Sequence, residues 1–185
     1  MKSRLRLSYS LLSQWASGNI DEAVALYLHK PMPSSQAMDD GKKYHEAWEA
    51  SIKETKQVTI GKTQIKFADP RSELPVIVSY NDRWDIKAVF DCLDEPILYE
   101  FKTGKTDIMT YARSYQLPLY FLVAQLAGIE IVQARLIRHN QHNGETELMV
   151  IWNDEQMVEK ARNYIDTLGP EIYDYFVKNG IPFDK

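Results

Sequence analysis

Two carboxylates and a lysine converge in the stretch Ala88-Val89-Phe90-Asp91 … Ile97-Leu98-Tyr99-Glu100-Phe101-Lys102. Side chains alternate along a strand, so Glu100 and Lys102 emerge on one face and Phe101 on the other. Asp91 falls on the partner strand across the tight turn Asp94-Glu95-Pro96. Carboxylates held together repel unless they share a cation, and hard oxygen donors suit Mg²⁺ or Mn²⁺. A lysine beside them can orient or deprotonate a cation-bound water. Taken alone, the fragment reads first as a solvated cross-strand Glu–Lys pair worth about 0.2–1 kcal/mol. Three further features bear on it. Gly41-x3-His45 offers an imidazole on a helix just before the sheet. Gln116 and Tyr120, four residues apart, share a helix face and present an amide and a phenol, or else a core tyrosine with a glutamine at its rim. Thr103-Gly104-Lys105 permits a turn that brings a lysine near the end of the Glu100–Lys102 strand, where it can neutralise a phosphate.

Those groups need elements to hold them. Ser8 caps a short helix carrying Leu11, Leu12 and Trp15, and Asp21 opens a second one. A third helical pattern runs over about 36–54, before the period changes to that of strands. Residues 58–60 and 64–67 flank a Gly61 turn, and strands follow at 76–80, 84–93 and 97–102, reading as an antiparallel meander. One long helix is expected over 108–127, ending at Gly128, then a hairpin of 131–138 with 147–152, then a helix from about Asp154 to Val177. The order helices, sheet, helix, hairpin, helix predicts a mixed α/β (α+β) fold in a single domain spanning 1–185.

In that order the motifs resemble the RecB-like branch of the PD-(D/E)xK nucleases. The resemblance runs from Leu7-Ser8-Tyr9-Ser10 through Gly41-x3-His45, Asp91, Glu100-Phe101-Lys102-Thr103-Gly104-Lys105 and Gln116-x3-Tyr120, about two-thirds of the chain. It implies a restriction-endonuclease-like core, with a central mixed sheet flanked by helices. It further implies a divalent cation, Mg²⁺ or Mn²⁺, held by His45, Asp91, Glu100 and the main-chain carbonyl of Phe101. Asp91, Glu100 and Lys102 become the catalytic set, and Gln116 and Tyr120 contact DNA or brace the site, with Lys42, Lys105 and Arg113 as further DNA-binding candidates. Ala88 stands where relatives commonly have glycine, and Asp85 competes with Asp91 as the acidic ligand.

The single cysteine, Cys92, excludes a disulfide framework, a four-cysteine zinc site and a cysteine-held iron–sulfur cluster; it reads as a small buried hydrophobe. There is no apolar run long enough for a transmembrane helix and no helicase-type phosphate loop, so any ATP-driven unwinding belongs to a partner helicase or other DNA-processing protein. The basic start Met1-Lys2-Ser3-Arg4 lacks the apolar stretch of a secretory signal, which makes a cytoplasmic location the expectation. A net charge of −4 argues against nucleic acid until the charges are placed. Residues 145–185 hold 9 acidic and 4 basic side chains, leaving 18 basic and 17 acidic on the motif-bearing remainder. Trp15, Trp48, Trp84 and Trp152 read as core anchors, and His139 and His142 as part of a solvated turn. The expected activity is phosphodiester hydrolysis on DNA ends or single strands. A structure-specific endonuclease and a non-catalytic DNA-binding module are the alternatives.

Overall fold

The computed structural model describes residues 4–183; Met1 to Ser3, with the charge pattern read there, lie outside them. Its centre is a six-stranded mixed sheet built around β5 (Trp84–Asp94). On one edge of β5 lies β4 (Arg71–Ser79), antiparallel. The opposite edge is shared. Its first part pairs in parallel with β1 (Leu5–Ser8), Leu5 to Ser8 against Trp84 to Lys87. Its last part pairs with β6 (Ile97–Thr103), in the register Cys92 with Tyr99 to Asp94 with Ile97. β6 then runs parallel to β7 (Gln133–His139), and β8 (Thr146–Trp152) closes the sheet. Between the two pairings, residues 88–91 of β5 face a gap.

Helices cover both faces. On one, α1 (Tyr9–Ala16), α2 (Ile20–Tyr27), α5 (Gln116–Ala127) and α6 (Glu155–Lys178) bury Leu7, Ile86, Phe90, Leu98, Phe121, Ile165 and Phe176 in the larger core. On the other, α3 (Gln36–Thr55) and a two-stranded sheet of β2 (Gln57–Ile60) and β3 (Thr63–Lys66) pack Trp48, Ile52 and Phe67 against Cys92, Tyr99, Phe101 and Ile137. Each fully buried side chain of this size contributes about 1.5–3 kcal/mol of apolar transfer.

Several expectations change. β2 and β3 form their own sheet and do not join the meander. The helix expected over 108–127 is two, α4 (Ile108–Arg113) and α5, separated where Ser114 is extended at φ −64°, ψ 170°. Pro118 is the cause: it has no N–H to give the carbonyl of Ser114, and its ring would clash there in a continuous helix. In the first turn of a new helix neither penalty applies. Trp152 is 61% exposed on the edge strand β8, so it is not a core anchor; Trp15, Trp48 and Trp84 are. His139 is buried, its Nδ1 3.0 Å from Thr146 Oγ1, and is not part of a solvated turn. No helix among the described residues is long and apolar enough to cross a membrane.

Candidate active site at the strand gap

Ser8 ends β1 by capping α1, its hydroxyl accepting from Leu11 N–H. That turns the chain away from β5, so the edge of β5 beyond Lys87 loses its partner. β6 rejoins it only at Cys92. Along β5 the alternation slips at Asp91: Trp84, Ile86, Ala88 and Phe90 face the larger core, Cys92 faces the α3 side, and Leu93 returns to the larger core. Asp91 fills the missing step, its Oδ2 accepting the Phe101 N–H at 2.8 Å.

Glu100 and Lys102 project toward α5 while Tyr99 and Phe101 pack under α3, the alternation expected from the strand. Glu100 is 1% exposed. Its Oε1 accepts from Lys102 Nζ and from Gln116 Nε2, both at 2.6 Å. Gln116 Nε2 also donates to the Tyr120 hydroxyl at 2.9 Å, so both amide hydrogens are used in bracing the carboxylate. Glu100 Oε2 is buried with no hydrogen-bond partner. Leaving such an oxygen bare costs about 1–3 kcal/mol unless something completes it.

His45 approaches from the other face. Trp48 packs at a tilt against Phe101, with centroids 5.6 Å apart, and His45 lies 5.4 Å from Trp48 on the next turn back. Gly41 allows this docking: a Cβ there would stand 2.7 Å from Thr103 Oγ1. One donor atom each from His45, Glu73 and Asp91 lie within 4.8 Å of one another. Glu73 was not singled out by the sequence. It sits on β4 between the register pairs Ser72–Cys92 and Leu74–Phe90, so it stands opposite Asp91, and its φ of +48° is rare for a residue with a side chain.

The charges interact across the gap. Loss of hydration raises the Asp91 carboxyl to about 6, against the pull of Lys102 and the Phe101 N–H. It raises Glu100 to about 7, with the Asp91 charge adding to the shift. Loss of hydration, then Lys102, lowers the His45 imidazole and favours its neutral form. Burial works against the Lys102 ammonium, but Glu100 and Asp91 outweigh it and hold the pKa above its usual value. Burial and the same two carboxylates push the Tyr120 phenol well up. Cys92 is fully buried, its thiol pushed to about 12 by lost hydration.

Of the other expected residues, Lys42, Lys105 and Arg113 are exposed at the periphery, and Lys42 lies 3.9 Å from Glu46. Asp85 is engaged elsewhere, by Arg4 and Ser79. Alongside the gap lies a cavity of about 290 Å³ whose walls include Arg6, Ser8, His29, Lys87, Gln116 and Tyr120. Arg6 Nε is buried with no hydrogen-bond partner. The arrangement offers oxygen and imidazole donors for a cation, a charged amine beside them, and a basic recess one side chain away.

No family model matches this chain, and no curated protein matches its sequence. Solved structures do resemble it. The alkaline exonuclease LHK-Exo from Laribacter hongkongensis superposes with a TM-score of 0.57 at 12% identity, over 95% of this chain and 93% of that one. The same enzyme in complex with dAMP gives 0.55 at 13% identity, over 94% and 93%. The protein SSO0001 gives 0.51 at 13% identity, over 90% of this chain and 78% of the other. The mixed sheet flanked by helices is thus a fold shared with exonucleases, as the sequence motifs implied.

Proposed function

We propose that this chain is a divalent-cation-dependent deoxyribonuclease of the RecB-like PD-(D/E)xK branch, acting as an exonuclease on DNA ends or single strands. The observation that carries the reading is Glu100: a buried carboxylate clamped by Lys102 and Gln116 through one oxygen, with the other left bare beside Asp91. A bare buried oxygen among carboxylates and a neutral imidazole fits a cation, and His45, Asp91, Glu100 and the Phe101 carbonyl are the residues that would hold Mg²⁺ or Mn²⁺. Bound there, such an ion supplies Lewis-acid polarisation of a phosphoryl oxygen and a more acidic water. Lys102, kept protonated by its carboxylates, donates a hydrogen bond at the place of attack and holds the attacking oxygen for in-line displacement. Gln116 and Tyr120 fix Glu100 in one rotamer. Arg6 and Lys87 line a recess suited to a backbone phosphate, with the exposed Lys42, Lys105 and Arg113 as outer contacts. A recess beside the site favours binding at a strand end, and one structural relative, LHK-Exo, is itself named an exonuclease. The whole of 1–185 acts as one domain in this reading.

The test is incubation with end-labelled single- and double-stranded DNA in Mg²⁺ or Mn²⁺, comparing wild type with Lys102→Ala and Asp91→Asn. Stepwise shortening from one terminus, lost in both variants, is the expected result. Internal cuts would favour the endonuclease alternative. DNA binding with no cleavage in either metal would sink the nuclease reading in favour of a binding module.

A further inference from the structure

Glu73 belongs to none of the motifs, yet it is the third member of the donor group formed with His45 and Asp91. We propose that Glu73 is a cation ligand, so that the divalent-cation site continues through the strand gap from Glu100 on the α5 face to Glu73 on the α3 face. The inference rests on the cation-dependent reading above and extends it to a residue that reading does not use.

The three donors come from three elements, α3, β4 and β5, and close to within 4.8 Å. Asp91 has Oδ2 occupied by the Phe101 N–H, which leaves Oδ1 for a shared ion. An independent observation points the same way. Glu100 Oε2 is buried without a partner; Glu100 feels the Asp91 charge and His45 feels that of Glu100, so this bare oxygen belongs to the same electrostatic site. Glu73 makes no hydrogen bond or ion pair within the described residues. The nearby Lys53 is taken by Glu49. A surface glutamate could point anywhere; this one lies close to Asp91 from a left-handed backbone that residues with a side chain rarely adopt. Two carboxylate oxygens and an imidazole nitrogen suit Mn²⁺, and the ion would offset the repulsion between Glu73 and Asp91.

The experiment is calorimetric titration of the full chain with MnCl₂, with no DNA present, for wild type, Glu73→Gln, Glu73→Asn and Asp91→Asn, alongside thermal unfolding with and without Mn²⁺. Asparagine tolerates the left-handed backbone, so the second variant removes the carboxylate without adding strain. Both Glu73 variants are expected to bind Mn²⁺ at least about tenfold more weakly and to show a smaller Mn²⁺-induced rise in Tm. Without the cation their Tm is expected to equal or exceed that of wild type. Wild-type affinity and stoichiometry in both Glu73 variants, with binding lost in Asp91→Asn, would overturn the role of Glu73 alone. No Mn²⁺ binding by wild type would overturn the underlying cation site as well.

Discussion

The raised carboxyls of the gap make cation-free stability depend on pH in an unusual direction. Asp91 and Glu100 titrate at about 6 and about 7 in the folded chain, against ordinary values of 3.8 and 4.5. Between about pH 4 and pH 7 the folded chain therefore holds more protons than the unfolded one. By linkage, stability must fall as pH rises through that window. The contribution is fully favourable below pH 4 and is lost as each group ionises in its buried place. At about 1.4 kcal/mol per pH unit, a shift of about two units is worth about 3 kcal/mol for one group. Part of the Glu100 shift is the Asp91 charge itself, so the pair together is on the order of 3–5 kcal/mol rather than the sum of two independent groups. His45 has the opposite sign: its lowered pKa costs stability as pH falls below about 6.5, and the cost is larger without the Glu100 charge, which works against that lowering. The assay is urea unfolding in EDTA from pH 5 to pH 8, for wild type and for the double variant Asp91→Asn/Glu100→Gln. Wild type should lose on the order of 3 kcal/mol more than the variant across that range. Mn²⁺ should reverse the loss at pH 8 and bind poorly at pH 5, where it must displace protons. The same pH slope in both proteins would refute the proton inventory assigned to the gap.

Three further outcomes follow from the packing. Gln116→Leu removes both donors of the bracing amide, and should lower stability by about 1–3 kcal/mol in urea unfolding and weaken Mn²⁺ binding by about tenfold or more. Gly41→Ala drives a methyl toward Thr103 Oγ1, 2.7 Å away, and should cost about 1–3 kcal/mol; a double-mutant cycle with Thr103→Ala should recover most of it. Cys92, buried with its thiol near 12, should stay unlabelled by a thiol reagent at pH 8 in the folded chain and react fully in denaturant.

Much of this site was legible because its parts are local. The two-residue alternation placed Glu100 and Lys102 together and Phe101 opposite, and the four-residue spacing of Gln116 and Tyr120 survived on α5 even though the long helix did not. The break itself was readable at Pro118, and only the apolar run around it hid the signal. What escaped depends on pairings between distant segments. β1 is four residues long and is a strand only because β5 lies 79 positions further on, in the register Leu5 with Trp84. Glu73 looks like any exposed strand acid until β4 is laid against β5 and Asp91 appears across from it. Trp152 carries the apolar signal of a core residue, and only the position of β8 at the sheet edge leaves it in solvent.

The gap also explains why the candidate site sits where it does. A complete ladder along β5 would satisfy the edge of residues 88–91 with backbone alone and seal the sheet. Here β1 leaves after Ser8 to begin α1, and β6 pairs with β5 only from Ile97 to Tyr99. One amide across that opening, from Phe101, is satisfied by a side chain, and that side chain is Asp91. A carboxylate doing backbone work is held without rotamer freedom, and the opening beside it admits groups from both faces: Glu100 with its Gln116 brace from one, His45 from the other. The cost is charge gathered in a place with little water, which appears as raised carboxyls and a bare Glu100 oxygen. A site that is least comfortable when empty and ionised is one whose stability should respond strongly to a divalent cation. Calcium, which brings the same charge with looser geometry, should therefore raise Tm at pH 8 without supporting cleavage, separating the electrostatic account of the gap from the catalytic one.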